Sequence, residues 1–235
     1  MAISVTGRGS NFDGIVTSTV VGNSFTPNTG DFILAVVGVD NQRDVSSVSQ
    51  TSASSWDCIF EQIDQTAINN NTRFALWGGF VKGLTPTDDT ITAALSGSAR
   101  PGTLLIQVSG ADVSGTVSNA IIQKVNATGY NQQTSLALGT LAALTGGNTL
   151  LTLGQNLDQS KRFTPQSNFT EFQDESLGQF RLGSFYSTTN ETAPKLNYWD
   201  TYFRYTGGIC VEIKAAAGST TVVMTIGESL AVGAA

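Results

Sequence analysis

The stretch "DFILAVVGVD", residues 31–40, decides the fold: between its two aspartates every residue is apolar or glycine. Successive side chains of a strand point to opposite faces, so a strand here is apolar on both. That pattern predicts a central strand in a sheet covered on both sides.

Strand periodicity continues outward from it. "ISVTG" (3–7) and "GIVTSTVVG" (14–22) are β-branched and bounded by turn residues. "SWDCIFEQID" (55–64) alternates, and "TRFALWGGFV" (72–81) puts Phe74, Leu76 and Phe80 on one face and Trp77 and Val81 on the other. "TITAAL" (90–95), "TLLIQVSGAD" (103–112), "AIIQKV" (120–125), "SLALGTL" (135–141) and "NTLLTLGQN" (148–156) come next. The last third adds "FTEFQDESL" (169–177), "FRLGSFYST" (180–188), "TGGICVEIKA" (206–215) and "TTVVMTIG" (220–227). Residues 135–147 have room for one turn of helix, but their glycines oppose a longer one. About a dozen short strands separated by turns predict an all-β, two-sheet β-sandwich of jelly-roll type, one domain over residues 1–235. Its N-terminal strand is short and its C-terminal tail is made of small residues. Two connections, residues 41–55 and 157–168, are long and polar, a length that usually marks function or an interface.

Composition narrows the chemistry. Charged residues are 13% of the chain, against about 25% in a typical soluble domain. The net charge of −6 argues against nucleic-acid binding and against an anionic membrane surface. Histidine is absent, which removes the commonest general base and the commonest zinc ligand. No apolar run approaches the roughly 20 residues that span a bilayer. "MAISVTGRGS" shows no signal-peptide pattern, so folding in a cytosol is expected. Cys58 reads as inward with Trp56 and Phe60, and Cys210 as outward with Glu212 and Lys214, so both are expected as free thiols. Asn70, Asn126, Asn168 and Asn190 open N-x-Thr sequons, read as chance in an Asn- and Thr-rich chain.

Taken in order, "TPNTGDFILAVVGVDN", the Trp of "SSWDCIFEQ", "TRFALWGGFVKG", "LLIQVSGAD", "GGNTLLTLGQN" and "GGICVEIKAA" resemble the jelly-roll β-sandwiches of tailed-bacteriophage structural proteins. Those are capsid decoration (cement) proteins, head fibres and tail proteins. The resemblance covers residues 27–216 and implies a non-enzymatic virion component assembled in the host cytoplasm. Its implied partners are the major capsid protein and copies of itself, as trimers, with no cofactor. It carries no catalytic motif.

Other constellations bear on different chemistry. Extended, residues 169–177 place Glu171, Gln173 and Glu175 on one face, with the two glutamates roughly 13 Å apart. That is too far for a glycosidase pair, which needs about 5–9.5 Å, so a solvent-facing polar row is expected. Carboxylates from distant strands, drawn from Glu61, Asp64, Glu171, Glu175 and Glu212, are the route by which a hydrolase would escape this argument. "GRGSNFDG" (7–14) reads as a loop rather than a phosphate cradle. Asp88 and Asp89 in "TPTDDT" read as a turn rather than a cation site, and Asp112 as a turn residue.

Two segments remain as a partner interface. Lys161 and Arg162 in "QSKRFTPQ" are the adjacent basic pair of an acidic chain. "NYWDTYFRYTGG" (197–208) carries five aromatic rings. Extended, it sets Trp199, Phe203 and Tyr205 on one face, and Tyr198, Asp200, Tyr202 and Arg204 on the other. Tyrosine and arginine are enriched at interface hot spots, and the second face also suits a sugar. The alternative function is therefore a carbohydrate- or receptor-binding module.

Overall fold

A computed structural model describes residues 2–12, 14–52, 56–69, 72–130, 134–198 and 205–217. The expected strand over residues 220–227 lies outside the described residues, as does Asn70. The first half of the chain forms β1 (Ser4–Phe12), β2 (Thr17–Val21), β3 (Phe32–Asp40), β4 (Val45–Gln50), β5 (Phe60–Asn69), β6 (Thr72–Phe80) and β7 (Ile91–Ser109). After a one-turn helix, α1 (Val117–Ala120), come β8 (Ile121–Tyr130), β9 (Ser135–Ala137), β10 (Thr149–Asn156) and β11 (Phe163–Thr164). β12 (Thr170–Leu177), β13 (Phe180–Ser187), β14 (Lys195–Tyr198) and β15 (Tyr205–Ile213) complete it. The helix therefore forms at residues 117–120, not within residues 135–147.

Two antiparallel sheets face each other. The first runs β1-β7-β3-β6-β5 and the second β12-β13-β10-β15-β8. The central core lies between them: Phe32, Leu34, Val36, Phe74, Leu76 and Leu104 from the first meet Leu151, Leu153, Phe180, Leu182, Ile209 and Val211 from the second. The class is an all-β sandwich. The chain fills its first sheet before starting its second, and this order does not establish the interlocked Greek keys of a jelly roll.

β3 is covered on both sides, as its composition requires. Ile33, Ala35, Val37 and Val39 point away from the central core into a second apolar layer. β7 builds that layer. Its C-terminal half pairs with β1 and β3, while residues 91–99 pair with β2 and β4. The expected strands at residues 90–95 and 103–112 are thus parts of one, and the long connection at residues 41–55 contains β4. Trp56 closes the layer, fully buried, with its Nε1 donating to the Thr87 carbonyl at 2.8 Å. The strand expected from residue 55 begins only at Phe60, because Asp57 turns the chain at a φ of 48°.

Residues 7–12 also differ from expectation: they continue β1 rather than forming a loop. A bulge between Gly7 and Ser10 makes this possible, with Gly9 at a φ of 96°. That conformation costs glycine little and other residues more.

One core residue is out of place chemically. Gln155 is fully buried between the sheets against Gly38, and neither atom of its amide has a hydrogen-bond partner among the described residues. An unpaired buried polar group costs about 1–3 kcal/mol. Gln155→Leu is expected to raise stability by about 1 kcal/mol, read as a higher urea midpoint at unchanged slope.

Candidate functional site

The outer face of the second sheet carries a small third sheet, ordered β11-β14-β9. The two segments read as a partner interface meet in it: Phe163 is paired with Tyr198, and Thr164 with Asn197. Phe163 anchors the arrangement. Its ring lies on Gly154 and Gly183, where an added Cβ would fall 3.0 and 2.5 Å from ring carbons, so only glycine admits it. It stacks 5.1 Å from the Tyr198 ring and 6.1 Å from Phe185. Residues 157–168 are therefore pinned at Phe163 and not simply a polar loop.

This corrects the reading of Tyr198. It is buried in the core under the third sheet rather than presented on an amphipathic face. Its hydroxyl is hydrogen-bonded to Thr206 Oγ1, which donates to the Gln155 carbonyl at 2.8 Å. Burial raises the phenol above its ordinary pKa, against the lowering effect of the Thr206 hydrogen bond. Tyr202 and Arg204 lie outside the described residues. Lys161 is half-buried and Arg162 exposed, immediately before the Phe163 anchor.

β12 corrects the carboxylate row. Its register slips between Glu171 and Gln173, so Glu171 stands opposite Phe185 while Glu175 stands opposite Leu182. Phe185 points to the outer layer and Leu182 to the central core, so the two glutamates occupy opposite faces. Glu171 instead shares the outer face with Asp174. Asp174 is paired with Arg181, whose Nη1 also donates to the Gln159 carbonyl at 3.1 Å. Burial raises the Asp174 carboxyl despite this pairing. Burial, and then the Asp174 charge, raise that of Glu171, while Arg181 and Arg162 pull it down. Arg162 thus belongs to one charged cluster with Glu171, Asp174 and Arg181, a grouping that the bulge hides from sequence periodicity. Gln173 is not solvent-facing either, being packed against Gly7 of β1.

The other carboxylates do not converge on this cluster. Glu212, expected on an open face, is fully buried. Its carboxylate accepts from Gln123 Nε2, from the Thr145 amide at 3.1 Å and from Asn148 Nδ2 at 2.6 Å. Asp64 accepts from Asn126 at 2.9 Å and lies 3.3 Å from Lys124, on β5. Asp88 accepts from the Thr26 hydroxyl, whereas Asp89 accepts from the Ser52 amide at 2.9 Å and the Thr90 amide at 2.8 Å. Asp112 binds Lys214 at 2.6 Å and Ser114, which hold its carboxyl down at about 2. Among the described residues, no three His, Cys, Asp or Glu side chains group to hold a metal ion.

No family model, curated protein or solved structure matches the chain.

What the arrangement offers chemically is therefore read from its own residues. Glu212, Asp174, Asp64 and Asp89 each bind donors from neighbouring segments, so they tie layers together. On the outer face, an exposed guanidinium and a glutamate sit on a rigid aromatic base. That combination suits recognition of a charged partner.

Both cysteines are free. Cys210 is buried rather than outward, because the third sheet covers its face, and Thr152 Oγ1 donates to its sulfur at 3.2 Å. Burial pushes both thiols up to about 12. Thiolate is the reactive form, so iodoacetamide at neutral pH is expected to leave the native chain largely unmodified. It should add two groups once the chain is denatured without reductant, as counted by mass spectrometry.

Proposed function

We propose that the protein is a non-enzymatic virion component: a decoration protein that stabilises a phage capsid through contacts with the major capsid protein and copies of itself. The observation that carries this reading is the convergence of residues 161–162 and 198 in one outer layer, through the Phe163–Tyr198 pair. An exposed basic residue on a rigid aromatic base, in an acidic chain, supports docking on an acidic partner surface. The resemblance to phage jelly-roll proteins supplies the setting. In that role each contact can be weak, because many identical copies act together across the shell. Self-association as trimers, at threefold positions, would satisfy the closed symmetry such a lattice imposes.

The test is a charge reversal, Lys161→Glu with Arg162→Glu. Binding to purified shells lacking the protein is expected to fall at least about tenfold, with the loss largest at low salt. Folding stability should fall by no more than about 1 kcal/mol, since Arg162→Glu sets a like charge beside Glu171 and Asp174. Shell binding unaffected by the reversal would remove this surface from the contact. No binding to shells, together with a specific signal on a glycan array, would replace the reading with the carbohydrate-binding one.

A further inference from the structure

We propose that both main sheets are closed to strand addition, so that a second copy of the chain meets it on faces and loops and not by extending a sheet. Among the described residues, each main sheet ends in strands that are paired on one side only: β1 and β5 in the first, β12 and β8 in the second. Such an edge is a row of backbone donors and acceptors that an extended segment can join.

The pairing registers put an extra residue into every one of these four strands. In β1 the three steps from Gly7 to Ser10 oppose two on β7. β5 holds two extra residues, Ile63 and Ile68: Gln62 and Asp64 oppose Trp77 and Leu76, and Ala67 and Asn69 oppose Arg73 and Thr72. β12 holds Phe172 between Glu171 and Gln173. β8 holds Ile122, since Ile121 and Gln123 oppose Ile213 and Glu212. The interior pairings of the two sheets, β3 with β6 and β7 and β10 with β13 and β15, run without a shift. Within these sheets the extra residues therefore sit on edge strands alone. A bulge breaks the even spacing that a new strand must match, and it increases the local twist.

The bulged side chains also close the sides of the sandwich. Ile68 is buried in the central core, and Ile63 and Phe172 pack against it. The two bulges of β5 leave Asp64–Ala67 as its longest regular stretch. β8 keeps a longer one, Gln123–Tyr130, and of the four strands it is the one that carries a lysine. The Lys124 ammonium donates to the Ile63 carbonyl and lies 3.3 Å from Asp64, which ties β8 to β5. A lysine on an edge is a charge that an added strand would have to cover. The inference rests on these registers and does not depend on the virion reading.

Hydrogen exchange of the full chain, read by mass spectrometry over a range of protein concentrations, tests it. Residues 4–12, 60–69, 121–130 and 170–177 are expected to exchange at rates that stay within about twofold across the range, whether or not light scattering shows association. Protection of any of these strands that grows about tenfold or more with association would overturn the proposal. A second arm repairs one edge. Deletion of Ile122 with Lys124→Thr leaves the other β8 pairs in register and removes the bulge. The repaired chain should associate at a concentration at least about tenfold lower than the unmodified chain, with residues 121–130 newly protected. Lys124→Thr alone keeps the bulge and should behave as the unmodified chain. If the single variant associates as readily, or the folded repaired chain does not associate, the bulge is not what closes the edge and the proposal fails. If the repaired chain loses the slow exchange of β3, the concentration series on the unmodified chain decides alone.

Discussion

Glu212→Ala is expected to cost on the order of 4 kcal/mol of folding stability. The carboxylate is fully buried on the outer side of the second sheet, where it accepts from Gln123, Thr145 and Asn148. The donors come from both sides of β15: Gln123 from its neighbour β8, Asn148 from the residue that precedes its other neighbour β10, and Thr145 from the connection that leads into β10. Gln123 also binds both the carbonyl and the amide of Ala142, and Asn148 accepts from the Ala215 amide at 2.8 Å. Alanine leaves the buried Asn148 amide without this acceptor, worth about 1–3 kcal/mol, and removes the hydrogen bonds from the Thr145 amide and from Gln123, which keeps the Ala142 carbonyl, so the loss is one of connection more than of volume. Glu212→Gln keeps the shape and one acceptor oxygen but turns an amide N–H₂ toward other donors, and should cost about half as much. Urea unfolding of the two variants checks the order. Limited proteolysis within residues 138–147 should rise in the alanine variant, because that stretch loses its internal tie. A loss below about 1 kcal/mol for Glu212→Ala would mean that the carboxylate is not what holds it.

Glu212 also marks how far the sequence could be read. Wherever a strand is covered by long neighbours, alternation describes it correctly. The two faces of β3, and the split of Phe74, Leu76 and Phe80 from Trp77 and Val81, appear in the central and second apolar layers as expected. Alternation sorts side chains into two faces, but it does not say what lies over either. Over β15 lies a sheet made of β9, β11 and β14, strands of 3, 2 and 4 residues. Such pieces are too short for any periodicity, so Cys210 and Glu212 read as outward. The second failure is parity. One bulged residue reverses every later side chain on its strand. The slip after Glu171 separates it from Glu175 and joins it to Asp174 instead. Neither a covering layer nor a bulge leaves a local signature in composition. Phe163 is the legible clue, a lone aromatic in the middle of a polar connection.

Tyr198→Ala is expected to destabilise the protein by about 3–5 kcal/mol, and the same residue separates core from interface. A tyrosine that only met a partner would be dispensable for folding. Here the ring is buried against Phe163, and its loss opens a cavity at the contact that holds residues 157–168 onto the second sheet. The hydroxyl contributes less. Tyr198→Phe removes its hydrogen bond to Thr206, but Thr206 keeps the Gln155 carbonyl as acceptor at 2.8 Å, so no donor is stranded and the cost should be about 1 kcal/mol. Thermal unfolding should therefore rank the chain as unmodified, then Phe, then Ala, with a wide gap before Ala. Under the proposed decoration role, the alanine variant should also lose shell binding, whereas Tyr198→Phe should keep it, because the backbone that carries Lys161 and Arg162 stays in place. A stable alanine variant that fails to bind would reverse this account, returning Tyr198 to the surface that meets the partner.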